Sequence, residues 1–157
     1  MRRYLWDDEI IARELAQEII ASSLASFTQH GLGFWKLVRK DTGQPVGFCG
    51  LRHFENEVVG ADAVEILYGL TAAEWGQGLA FEAACTVLQY AFTARGLLRV
   101  YAGADAPNTA SFRVMERLGM WFDHQIQLNE QKTIYYVVTE SAWLTGISQP
   151  NPSEIPR

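Results

Sequence analysis

The residues with the clearest chemical meaning are Trp75-Gly76-Gln77-Gly78-Leu79-Ala80. They stand between an apolar stretch, Ala63 to Leu70, and a segment with helical periodicity. Glycines at a strand-to-helix junction let the backbone come close to a ligand, and the free N–H groups of the first helical turn point at it. A nest of that kind binds an anion, typically a phosphate. Two familiar phosphate devices do not fit: a dinucleotide fingerprint would need glycine where Phe81 stands, and a P-loop would need a Gly-Lys-Ser/Thr ending. A turn that holds no ligand is the other reading of this loop.

Upstream, Glu65 shares a strand face with Leu67 and Gly69, an acid among apolar neighbours in the element that runs toward the loop. Burial there would raise its pKa and suit it to general-base work, with a water relaying the proton from a substrate ammonium. A rim glutamate facing solvent is the alternative. Gly69, near the end of that strand, is a place for close backbone approach. Downstream, Asn108, Ser111 and Met115 follow one another at single-turn steps along a third helix. Asn is a preferred N-cap, and Met115 cannot donate a proton.

Other reactive residues point to little. Cys85 among Ala83, Ala84 and Leu88 reads as a buried structural thiol, and no activated Cys or Ser-His arrangement suggests a covalent intermediate. His30 and His124 lack ligand-spaced partners, so no metal is expected. Arg52, His53 and Glu55 end a strand and read either as solvated residues or as the lining of an acceptor site. Trp35, Trp121 and Trp143 read as core or as pocket walls.

The elements that must position these residues follow from periodicity. An amphipathic helix from Asp7 to about His30 carries Leu15, Ile19, Ile20, Leu24 and Phe27 on its apolar side, with Ser22-Ser23 as a place where it could break. Strands are expected over Phe34 to Arg39, Val46 to Phe54, Ala63 to Leu70, Arg99 to Ala104, Trp121 to Leu128 and Thr133 to Thr139. Helices are expected from Gly78 to about Arg95 and from Asn108 through Leu118. The order gives an α/β fold, a mixed sheet with helices on its faces. Residues 1–146 read as one domain, and 147–157, which hold three of the five prolines, as a disordered tail. With 157 residues, 48% of them hydrophobic, the chain can close a core. A net charge of −5 argues against nucleic-acid binding. No apolar run is long enough for a membrane span and the N-terminus lacks the core of a signal peptide, so a cytoplasmic protein is expected, as the cysteine count also suggests.

The loop and the third helix together resemble the GCN5-related N-acetyltransferase (GNAT) superfamily, whose cofactor loop reads Arg/Gln-x-x-Gly-x-Gly/Ala. Gly78 and Ala80 match the small positions, and Trp75 replaces the usual Arg or Gln, as in the RimJ/RimL-type branch. Phe81-Glu82-Ala83-Ala84 is similar to that branch's Thr-Glu-Ala-Ala, and Asn108 to Met120 resembles its Asn-x-x-Ser-x-x-x-x-Glu-Lys-Leu-Gly-Phe helix. The similarity runs from about Phe34 to Trp143. It implies a mainly antiparallel central sheet with a V-shaped opening between two strands, in which the pantetheine arm of acetyl-CoA lies like an added strand. Tyr68 and Leu70 would then supply main-chain contacts, Trp75, Gly76, Gln77, Gly78, Leu79 and Ala80 the pyrophosphate site, and Asn108 a contact to the cofactor or a plain N-cap. Ser111 would stand near the thioester sulfur as an acid or serve as a small packing residue; Met115 occupies the position where many relatives carry a tyrosine acid. The activity implied is acetyl transfer to a primary amine, on a protein N-terminus or a small molecule, by direct attack; the rival is a non-catalytic acyl-CoA sensor or partner-binding module. Relatives begin with a further strand and helix that this chain is expected to lack, and the exposed sheet edge then suggests a homodimer.

Overall fold

In the computed structural model, residues 12–128 and 130–146 are described. Helix α1 (Arg13–His30) is continuous through Ser22-Ser23, and left-handed Gly31 closes it by donating its N–H to the Phe27 carbonyl. Its C-terminal half is tied to the sheet: Phe27 meets Trp35 edge to face at 4.7 Å, and Ser23 Oγ accepts from the Phe34 N–H. The rest of its apolar side is only partly covered: Ile19 is half-buried, while Leu15, Ile20 and Leu24 are exposed. Periodicity marks a face that can be buried, and the fold decides how much of it finds a partner. The part of the expected helix before Ala12 lies outside the described residues.

Strands β1 (Phe34–Val38), β2 (Pro45–Phe54) and β3 (Ala63–Leu70) form an antiparallel meander. A short 3-10 turn (Ala72–Glu74) leads to α2 (Leu79–Thr93), followed by β4 (Arg99–Asp105), α3 (Thr109–Arg117), β5 (Trp121–Leu128) and β6 (Gln131–Thr139). A final helix, α4 (Glu140–Thr145), was not expected from periodicity. It is too short to show a repeat, but its ends carry legible signals: Thr139 Oγ1 caps it by accepting from the Ala142 N–H, and Gly146 leaves it in the left-handed region.

The sheet has six strands in the order β1-β2-β3-β4-β6-β5, and β3 beside β4 is its parallel pair. That mixed, mostly antiparallel α/β sheet is the fold class the sequence implied. Register separates its faces. Trp35 pairs with Cys49 and Cys49 with Tyr68, and this face carries α2 and α3, because Trp35 packs on Tyr90 and the Tyr68 hydroxyl donates to the Ser111 carbonyl. The core lies here, around Leu51, Ile66, Leu88, Phe92, Val100 and Met115. Each such side chain contributes about 1.5–3 kcal/mol by leaving water. The opposite, far face carries Arg52, Glu65 and Tyr101 in one cross-strand row that continues through Val137 to Trp121. Trp121 ends the row with a buried indole N–H that has no hydrogen-bond partner among the described residues.

Candidate active site

The loop before α2 has the geometry of an anion nest. Gly76 and Gly78 both lie in the left-handed region, at φ of 75° and 77°, and a Cβ at either would meet nothing within 4 Å. Gly78 is the N-cap of α2 and offers no side-chain oxygen, so the first-turn N–H groups are not capped from the side. The loop itself is held from below. The Trp75 indole donates to the Leu70 carbonyl at 3.1 Å, Gln77 donates to the Ala73 carbonyl and to Glu74, and Glu74 accepts from Arg39 at 2.9 Å. Trp75 and Gln77 therefore brace the turn through their side chains. A groove of about 740 Å³ between β1 and α2, lined by Trp35, Leu37, Leu79, Val87 and Tyr90, touches this loop but reaches neither Glu65 nor Ser111.

Beside the loop the two parallel strands part. β3 and β4 are in register only at Glu65 and Tyr101, although each continues well past that pair. The Thr71 N–H bonds the Val46 carbonyl, which fixes the phase of the β2–β3 ladder. By antiparallel alternation, Gly69 and Leu67 direct their backbone groups at β2, whereas Tyr68 and Leu70 direct theirs into the gap. Of these gap-facing groups the Leu70 carbonyl is taken by Trp75, while the Leu70 N–H and the Tyr68 backbone groups are turned toward the gap. The first turn of α3 borders β3 through the Tyr68–Ser111 contact, at 3.3 Å. Asn108 is indeed the N-cap of α3, its Oδ1 accepting from the Ser111 N–H at 3.2 Å. Ser111 is half-buried, and Met115 is buried in the core.

On the far face, Glu65 is 5% exposed and takes two contacts on one oxygen: Arg52 Nε at 2.7 Å and Arg52 Nη2 at 2.6 Å. Burial raises its pKa above the usual carboxylate range, and the charge and hydrogen bond of Arg52 oppose that rise without cancelling it. The rim reading of Glu65 is thereby excluded. Around it stands an aromatic cluster that sequence reasoning missed: Phe54 stacks on Tyr135 at 5.5 Å, Tyr135 stacks on His124 at 4.7 Å, and Tyr101 makes T-shaped contacts with Phe54 and His124. Tyr135 lies across β4, where a Cβ on Gly103 would come within 2.7 Å of its ring. Burial and then the negative charge of Glu65 push its hydroxyl pKa up, so it remains a donor.

The His124 tautomer follows from Asn56. Asn56 Oδ1 accepts from the N–H groups of Val58 and Val59, which turns its NH₂ toward His124 Nε2 at 3.0 Å. Nε2 therefore accepts, and Nδ1–H donates to Asp123 at 2.6 Å. Phe54, Tyr101, His124 and Tyr135 lie on four separate strands, and only register shows that they meet. Cys85 is half-buried, not buried, because α2 presents it at the margin of its apolar face; burial still raises its thiol pKa. Buried Cys49 is pushed up to about 12 and is no nucleophile. Among the described residues no group of three or more His, Cys, Asp or Glu is placed to hold a metal, and no helix is long and apolar enough to cross a membrane.

Comparison with known proteins accords with this geometry. A sequence profile of the acetyltransferase (GNAT) domain matches residues 1–121. YkkB, an uncharacterised protein of Bacillus subtilis, is 36% identical over 100 residues, which make up 62% of this chain and 56% of that protein. An uncharacterised N-acetyltransferase of Bacillus licheniformis, p20, is 31% identical over 107 residues, 68% of this chain and 56% of the relative. The chain thus spans little more than half the length of these relatives. Among solved structures, a ribosomal-protein-alanine N-acetyltransferase from Brucella melitensis has the same fold, with a TM-score of 0.69 at 15% identity, over 87% of this chain and 83% of that one. The profile match takes in the glycine loop, the parting strands and the helix that borders their gap, and the chain belongs to the GNAT acetyltransferase family.

Proposed function

We propose that residues 1–146 act as one cytoplasmic acetyltransferase domain that moves an acetyl group from acetyl-CoA to a primary amine. The observation that supports this best is the gap itself: two parallel strands that part beyond a single register pair, with backbone groups of Tyr68 and Leu70 turned into it. An extended arm with amide groups can bond there as a strand would. The uncapped start of α2 suits a pyrophosphate at the end of the same gap, so the residues present fit the cosubstrate. When bound, it supplies an activated acyl group as a thioester.

The substrate ammonium gives its proton to Glu65, directly or through a water; the amine lone pair then attacks the thioester carbonyl carbon, the C–S bond breaks, and the thiolate takes a proton. The Leu70 N–H is the donor placed to polarise the carbonyl. Ser111 sits on the α3 side of the gap, opposite Glu65, and supplies the leaving sulfur with a hydrogen bond. Within the family, the Asn108–Ser111 spacing and the Glu116 to Gly119 run support the RimJ/RimL-type branch.

Thiol release from acetyl-CoA with a panel of primary amines tests the reading. Wild-type turnover is expected. In Ser111→Ala, kcat should fall about tenfold with acetyl-CoA affinity nearly unchanged, since a thiol of ordinary pKa near 8.5 leaves with modest help. Tight CoA binding with no thiol release from any amine would make the chain an acyl-CoA sensor instead, and full activity in a stable Ser111→Ala protein would return Ser111 to a packing role. We also infer a homodimer. β1 stands at the end of the strand order, its outer residue Val38 is exposed, and the groove beside it is mostly apolar. Light scattering at tens of micromolar, roughly the range for weak self-association, should give twice the chain mass; a strict monomer there would refute it.

A further inference from the structure

We infer that the acceptor is a free α-amino acid, bound by its ammonium at Glu65 and by its carboxylate at Arg52; this rests on the reading of the far face as the acceptor side. Glu65 and Arg52 are in direct contact on neighbouring strands, the acid buried and the guanidinium side chain 56% exposed. A buried carboxylate alone at such a site would select for cations, polyamines included. Here the adjacent cation removes that selectivity. Both of its contacts with Glu65 fall on Oε1 and use one edge of the guanidinium, whose planar fork carries five N–H donors. The remaining donors belong to a side chain that is 56% exposed, and a carboxylate can be held by more than one of them.

The spacing also matches. In an α-amino acid the ammonium and carboxylate are joined through one carbon, so they reach two protein charges only if those charges are adjacent, as these are at 2.6 Å. The two ion pairs then close into a square of alternating charge. The other charges near this spot are already engaged: Asp105 accepts from Gln131 and Thr133, and Asp123 from His124. Arg52 is the cation in direct contact with Glu65. The half-buried Phe54 ring beside them gives an apolar side chain a surface to lie on.

Calorimetric or NMR titration of the protein with phenylalanine and alanine, and with their amides, tests this without turnover. At least one free acid should bind about tenfold or more tightly than its amide, the scale of a charged hydrogen-bonded contact. Arg52→Gln should abolish that preference, and Arg52→Lys, which keeps a cation beside the buried Glu65, should restore part of it with a melting temperature near wild type. The ratio of acid to amide is the readout, since losing the cation also alters Glu65 and should weaken both ligands alike. Equal or reversed preference, absence of binding by both acids, or a preference that survives Arg52→Gln would overturn the inference. Thiol release with the amides or with spermidine in the same protein would leave the acetyl-transfer reading standing while this one fell.

Discussion

Glu65→Gln is expected to lower kcat by about 10²-fold or more, the contribution typical of a positioned general base. Glutamine keeps an acceptor for Arg52 and the volume of the side chain, but it cannot take a proton from the substrate ammonium. The loss should be least at high pH, where the amine is already free. In the wild type, activity should rise with pH through the raised pKa of Glu65, because only its deprotonated form is a base. Stability carries the opposite sign. A carboxyl whose folded pKa is raised adds stability below its unfolded pKa and loses it as pH climbs through the folded value, so ionised Glu65 is a cost near neutrality. Glu65→Gln should therefore melt no lower than wild type at pH 7. A wild-type rate and pH profile in the variant would return the proton to solvent, and a melting temperature many degrees lower would mark Glu65 as a structural partner of Arg52.

Gly78→Val should weaken CoA binding by about 10- to 100-fold, the scale of losing one charge-assisted hydrogen bond of about 1.5–3 kcal/mol. The residue sits at φ of 77° with open space where its Cβ would be, so the β-carbon of a valine would meet no protein atom. It would instead stand in front of the first turn of α2, where the pyrophosphate is proposed to lie. Left-handed strain adds about 1–2 kcal/mol, which for a chain of this size lowers the melting temperature by several degrees. Gly96→Val separates the two effects: Gly96 is also left-handed and open, but lies past the other end of α2. Calorimetry should find Gly96→Val as destabilised as Gly78→Val yet normal in CoA affinity. Equal affinity in all three proteins would remove the loop from the site.

The contrast between those two glycines shows what the chain by itself determines. Gly78 and Gly96 look alike as helix-end glycines; what distinguishes Gly78 in the sequence is its setting between a strand and a helix start, next to Gly76. That signal is local, made of backbone freedom and orphan N–H groups, and so were those for the strands, α2 and the Asn108 cap. The alternation that put Glu65 on a face with Gly69 is local too, and it held. The sign of Glu65's environment was likewise legible, since an acid on an otherwise apolar strand face tends to be desolvated.

The partners of Glu65 were not legible, because they depend on the register between strands, which no local pattern sets. Arg52 looked like a solvated strand end until the β2–β3 pairing set it opposite Glu65, thirteen positions away. His124, without spaced partners in the sequence, is held between Asp123 and Asn56 and stacked on Tyr135 because β5, β6 and the loop after β2 converge. The incomplete burial of α1 has the same origin: its periodicity specifies an apolar side, while only the packed sheet decides how much of that side is covered. Local patterns encode which groups want burial or a ligand, and tertiary pairing, a matter of long-range register, decides which charges and rings come to share one site.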